Sequence, residues 1–176
     1  MSAASLERSA LAYLERYGAS TEMLRRVLRR RVAARCRLRG EDPADFAALV
    51  EEVVAKAGRA GLVSDTAFAD AKVRSLRRRG GSARAIHAKL AAKGVDRETV
   101  QAALAAHETD GPADQEDEAA AARAYARRRR LGPWRRAGNR AEARARDLAS
   151  MARAGFAPAL ARRVIDGEEP DPDAPL

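Results

Sequence analysis

Apolar residues recur along this chain at intervals of three and four between polar ones, and most of these runs are closed by a glycine. That spacing places one apolar stripe on each of a series of α-helices. Leu6, Leu11 and Leu14 mark a first helix over about residues 5–17, stopped by Gly18. Ser20 stands where it can cap a second helix, with Glu22 near its positive end. Leu24, Leu28 and Val32 follow at intervals of four, and this run reaches about Leu38 before Gly40. Asp42 and Pro43 read as the cap and first-turn pair of a third helix, which carries Phe46, Leu49, Val50, Val53 and Val54 up to Gly61.

The same grammar then returns. Asp65 opens a helix with Phe68, Val73 and Leu76 that ends at Gly80-Gly81. Ser82 caps one with Ile86 and Leu90, closed by Gly94, and Asp96 caps one with Val100 and Leu104. The stretch ETDGPADQEDE is acidic and turn-rich and reads as a connector. EAAAARAYARRRRLGPW starts a further helix, RRAGN breaks it, and residues 141–154 carry Leu148 and Met151 before Gly155. Pro158 opens a last short helix with Leu160, Ala161, Val164 and Ile165. No run alternates convincingly with the two-residue period of a strand, and β-branched residues are sparse, so strands are not expected.

These helices fall into copies. A shift of 62 residues lays Leu14 on Leu76, Gly18 on Gly80, Ser20 on Ser82, Leu24 on Ile86 and Leu28 on Leu90. A shift of 61 lays Leu90 on Met151 and Gly94 on Gly155. One three-helix copy buries too little to stand alone, whereas stacked copies share a core. The expected fold is therefore all-α: tandem three-helix, helix-turn-helix-like repeats, elongated and curved. The expected organisation is a first repeat over 1–62, a second over 63–108, an acidic connector over 109–117, a third repeat over 118–166 and a disordered acidic tail over 167–176.

Composition sharpens this picture. Of 176 residues, 46% are hydrophobic but only 4% aromatic, which suits an alanine- and leucine-lined core of closely approaching helices. The formal net charge is +9, which favours a polyanionic partner such as nucleic acid, an acidic protein face or an anionic membrane. The charge is not spread evenly. Nine basic residues face one acid from Arg16 to Arg39, nine face Asp96 alone from Lys72 to Arg97, and ten face Glu142 alone from Arg123 to Arg146. Equivalent clusters on stacked copies would form a basic strip matched to a regular polymer: DNA, RNA or a protein filament. The residues expected on that strip are Arg25, Arg26, Arg74, Arg77, Arg78, Arg79, Arg84, Lys89, Lys93, Arg127, Arg128 and Arg135. Trp134, among arginines, reads as a core anchor before a platform for a base.

Catalytic chemistry is sparse. The single cysteine, Cys36, allows no disulfide within the chain and fits a reducing compartment, and with His87 and His107 it falls short of a four-ligand zinc site. Gly80-Gly81 is not followed by the Lys-Ser/Thr of a phosphate-binding loop, and two histidines on repeat helices make no nucleophilic triad. The expectation is a protein that is not an enzyme and uses no metal or cofactor. No apolar run approaches a membrane span, and the first residues do not read as a secretory signal, so a soluble cytoplasmic protein is expected.

GLVSDTAFADAKVRSLRRRGGSARAIHAKLAAKGV resembles the central signature of the RecX family of bacterial recombination regulators, through Asp65, Phe68, Ala69, Gly80, Ile86, Leu90, Lys93 and Gly94. ALAYLERYGASTEMLRRVL is similar to the family's first repeat through Ala10, Leu11, Leu14, Ser20, Leu24 and Leu28, and ARAGFAPALARRVID to its closing helix. The resemblance implies tandem three-helix repeats. It also implies a monomeric regulator that binds the groove of the RecA–DNA filament, contacts single- or double-stranded DNA there, and limits filament growth, ATP hydrolysis and strand exchange. The residues themselves leave two alternatives open: a module that binds DNA without RecA, and a helical scaffold whose arginines reflect composition.

Overall fold

The computed structural model describes residues 2–107, 114–135 and 139–167. Among them every regular element is helical: α1 (Ala3–Leu14), α2 (Thr21–Arg39), α3 (Ala47–Arg59), α4 (Asp65–Arg78), α5 (Ala83–Ala91), α6 (Arg97–Ala105), α7 (Asp114–Arg129), α8 (Arg140–Arg153) and α9 (Pro158–Asp166), with 3-10 turns at Pro43–Phe46 and Gly132–Trp134. The chain is thus an all-α protein of tandem three-helix sets. By contacts it divides into two compact units, Met1–Ala71 with Leu90–Gln101, and Lys72–Lys89 with Ala102–Leu176.

In the first unit, α2 supplies the central stripe. Leu24, Leu28, Val32 and Cys36, each four residues apart, are all buried, as one face of a 3.6-residue helix requires. They pack with Leu6 and Ala10 of α1 and with Val50, Val53, Val54 and Ala57 of α3. Leu11, expected in this core, is 43% exposed, and the small Ala10 takes the buried place one residue earlier. Burial raises the Cys36 thiol pKa, so Cys36 behaves as a small apolar side chain. The Asp42-Pro43 pair caps a 3-10 turn rather than α3 itself: Asp42 Oδ1 accepts the Ala44 N–H at 2.9 Å.

In the second unit the core is lined by alanine. Ala121, Ala122 and Ala126 of α7 meet Met151, Phe156, Ala161, Val164 and Ile165, with Trp134 half-buried against them. Such small side chains let helix backbones approach closely. At Gly132, with φ +55°, an added Cβ would lie 2.8 Å from Ile165 Cα. Helix α7 begins at Asp114, so the last part of the expected connector is helical. The rest of that connector, the middle of the RRAGN break and the tail beyond Gly167 lie outside the described residues.

A single kind of joint occurs once in each unit. In the first, Ser20 Oγ accepts the Met23 N–H at 3.2 Å as the N-cap of α2 and donates to the Lys93 carbonyl at 2.5 Å. Asp65 Oδ1 accepts the Thr21 N–H at 2.7 Å. Gly94, at φ +79°, lies so close to Glu22 that a Cβ would overlap that side chain. In the second unit Ser82 Oγ accepts the Ala85 N–H at 3.2 Å and donates to the Ala154 carbonyl at 2.6 Å. Glu118 Oε2 accepts the Ala83 N–H at 3.1 Å, and Gly155, at φ +92°, would set a Cβ 2.7 Å from Ser82 Oγ. Ser20 and Ser82, Thr21 and Ala83, and Glu22 and Arg84 are each 62 residues apart, while Lys93 and Ala154, and Gly94 and Gly155, are 61 apart. The copies seen in the sequence therefore repeat a physical contact. In each, orphan donors at a helix start are met by the serine and by a carboxylate from the following set.

Candidate functional site

Helix α4 ends in a left-handed turn. The Gly80 N–H bonds to the Arg77 carbonyl at 2.8 Å and the Gly81 N–H to the Leu76 carbonyl at 2.9 Å, with φ +71° at Gly80. This is the αL termination that glycine favours. A Cβ there would also overlap the Tyr125 backbone nitrogen and stand 2.8 Å from the Ala121 carbonyl oxygen. Gly80 is thus both a turn and the point where the chain touches the α7 backbone.

An open cleft of about 600 Å³ lies against this turn. The end of α4 and helix α5 contribute Arg79 and Lys89, α7 contributes Arg128 and Arg129, and α8 contributes Arg153. Among the described residues its lining holds these five cations and no carboxylate. Cations gathered without a counter-charge raise one another's energy until an anion joins them. Tyr125 organises one wall. The Arg128 and Arg129 guanidinium carbons lie 5.9 and 5.8 Å from its ring centroid, within cation–π range. The ring packs on Phe156 at 5.6 Å, and the hydroxyl lies 3.2 Å from Ser150 Oγ.

A smaller hollow of about 360 Å³ is lined by Arg74, Arg77, Arg78, His107 and Asp117 beside alanines of α7. His107 Nε2 and Asp117 Oδ2 are buried there with no hydrogen-bond partner among the described residues.

The residues expected on the basic strip therefore have different surroundings. Arg79, Lys89 and Arg128 share the cleft, and Arg74 and Arg78 line the hollow. Arg77 is engaged by Glu118 and the Gly81 carbonyl. In the first unit Arg25 bonds both Glu51 oxygens, at 3.0 and 2.9 Å, and Glu22, at 2.5 Å. Arg26 bonds Glu22 and the Ala92 carbonyl, both at 2.9 Å. Lys93 is half-buried with Nζ 4.0 Å from Met23 Sδ. Arg84 and Arg127 are exposed. Arg135 donates two hydrogen bonds to Asp147, at 3.2 and 2.5 Å.

Those pairs perturb the acids. Hydrogen bonds from Arg25 and Arg26 lower the Glu22 pKa, and the bond from Arg25 lowers that of Glu51. Asp147 is only 1% exposed. Burial pushes its pKa up, but hydrogen bonds from Arg135 and from the Gly132 N–H, at 2.9 Å, outweigh this and hold it below the ordinary carboxylate value. The pair anchors the Gly132 turn against α9.

Sequence reasoning missed Arg129, Arg153 and Tyr125 in the cleft. Arg127, Arg128 and Arg129 are consecutive and so point to different sides of the end of α7, so which two face the cleft is a tertiary fact. Arg153 lies seven residues past Arg146, the arginine before it on α8, with no run to flag it. Among the described residues no group of three or more His, Cys, Asp or Glu side chains could hold a metal ion, and no helix is long and apolar enough to cross a membrane.

Fold and cleft together define a tandem helical-repeat protein with an acid-free cationic recess. Comparison with known proteins places it further. Residues 64–104 match the family described as "RecX, second three-helix domain". The chain is 47% identical to the Regulatory protein RecX of Myxococcus xanthus over 164 residues, 92% of this chain and 84% of that one. It is 34% identical to the Regulatory protein RecX of Agrobacterium fabrum over 161 residues, 88% of this chain and 83% of that one. The chain belongs to the RecX family.

Proposed function

We propose that this protein regulates the RecA recombinase, mainly as an inhibitor. In this reading it binds the groove of the RecA–DNA filament as a monomer in the cytoplasm and limits filament growth, ATP hydrolysis and strand exchange. The observation that carries the reading is the 47% identity, over 92% of this chain, to a protein named Regulatory protein RecX. The acid-free cleft supports it, because a filament on DNA presents a dense and regular array of anions. Repeats joined in one chain support it too. Several weak contacts linked in one chain act at high effective concentration and can block addition of the next subunit without any chemistry of their own. The protein is accordingly a binder and not a catalyst.

The test is ATP hydrolysis by RecA on single-stranded DNA with this protein added in substoichiometric amounts. Strong inhibition is expected. Full hydrolysis at every ratio would reject the reading. The cleft also favours a second reading, a helical module that binds DNA without RecA. Tight binding to bare DNA that weakens steeply with salt, combined with no effect on RecA, would select it.

A further inference from the structure

We propose that the cleft beside Gly80 holds consecutive phosphates of a single-stranded nucleic-acid backbone and does not read the bases, an assignment that rests on the reading above for its purpose but not for its chemistry. Four of the five cations lining the cleft are arginines, Arg79, Arg128, Arg129 and Arg153. Their planar forks suit phosphate oxygens, and Lys89 adds a mobile point charge.

Size argues for a single strand. About 600 Å³ lies in the range of a drug-sized ligand and fits a nucleotide or two. A duplex is far larger, its major groove alone being about 12 Å wide. Charge density argues against an acidic peptide. A DNA strand carries one charge for about every 3.4 Å of helix axis whatever its sequence. An extended peptide presents side chains to one face only about every 6.6 Å, and must be acidic at each. Nor, among the described residues, is there an apolar floor to seat a peptide anchor, since Leu76 is the one large aliphatic side chain of the described lining. Base readout is absent for a definite reason. The one ring in the cleft, Tyr125, is already engaged by Phe156, by Ser150 and by two guanidiniums.

The experiment is a salt titration of binding to an oligothymidylate of about 20 nucleotides, a length that covers a single-strand site. The full chain is compared with the triple variant Arg128→Ala/Arg129→Ala/Arg153→Ala and with Arg163→Ala, an exposed arginine outside the cleft. Removing three phosphate contacts should lower the magnitude of the log–log salt slope by about two and weaken binding about tenfold or more at low salt. Arg163→Ala should change affinity less than about twofold. A slope unchanged in the triple variant overturns the assignment. So does a variant that keeps its affinity for DNA and loses affinity for polyglutamate, which would make the cleft an acidic-protein site. Should the triple variant unfold, Arg79→Ala/Lys89→Ala, which alters the cleft's other two cations, reads the same slope. A reduced slope without inhibition of RecA by the unaltered protein would reject the proposed function and leave the cleft assignment standing. Inhibition with an unchanged slope would do the reverse.

Discussion

At the scale of single residues, glycines with different surroundings make opposite predictions. Gly80→Val introduces a β-branched side chain at φ +71° and drives it into the α7 backbone. Both faults act at once, so a loss of about 3 kcal/mol or more is expected, a fall in melting temperature of roughly 6–12 °C. An unchanged melt would remove the account of the turn. Gly58 lies within α3 with nothing within 4 Å of an added Cβ. Gly58→Ala should therefore stabilise the protein by about 0.5–1 kcal/mol. Asp147 sets a pH dependence. Its folded pKa lies below its unfolded value of about 3.9. Its contribution is then present above pH 3.9 or so and is lost as pH falls through the folded pKa. Asp147→Asn should flatten that acid limb. It should also cost about 3 kcal/mol at neutral pH, because Arg135, with its side chain only 24% exposed, loses its counter-charge. Urea unfolding of both proteins between acid and neutral pH checks both points.

At the scale of elements, most of the helices were legible because their signals are local: apolar spacing, a capping serine, a glycine stop. Ser20, Ser82, Gly80, Gly94 and Gly155 each stand at the boundary their residue type indicates. Other features were not local. Leu11 fits the helical spacing yet faces out, while the smaller Ala10, four residues on from Leu6, is the buried one. The acidic stretch before α7 reads as a turn by composition, yet the helix begins at Asp114, and Glu118 of that helix receives the Ala83 N–H. The serines also do more than cap. Each fills a second role as donor to a carbonyl about 72 residues away. Ser20→Ala and Ser82→Ala should therefore each cost about 2 kcal/mol, roughly 1 for the cap and 1 for the lost carbonyl bond. Thermal melts of the two variants should move together. A cost near zero at either site would mean that its joint is incidental.

At the scale of the whole molecule, a net charge of +9 is distributed unevenly between uses. The sequence showed three basic clusters but not their division of labour. Arg25, Arg77 and Arg135 are bound to the protein's own carboxylates, while Arg79, Lys89, Arg128, Arg129 and Arg153 meet around one acid-free recess. No spacing rule separates the two groups, since a carboxylate partner such as Glu118 or Asp147 lies dozens of residues or several turns away and is chosen by packing. Like charges held together predict a salt response. Raising ionic strength to about 0.1 M brings the Debye length to about 10 Å and screens their repulsion. The melting temperature should rise modestly over that range, and more than it does for the triple arginine variant of the cleft. A fall would mean that the paired arginines dominate.

The joint also bears on how the chain is made. The Ser20 hydroxyl finds its carbonyl 73 residues downstream and the Thr21 N–H finds Asp65 44 residues downstream. Synthesis at about 5–20 residues per second separates Ser20 from Lys93 by roughly 4–15 s. The same interval separates their emergence from the exit tunnel, and during it the start of α2 is outside the ribosome without its seal. A nascent chain stalled with residue 62 just clear of the exit tunnel should therefore be clipped by protease at the α1–α2 turn, and one stalled far enough on to free Gly94 as well should resist.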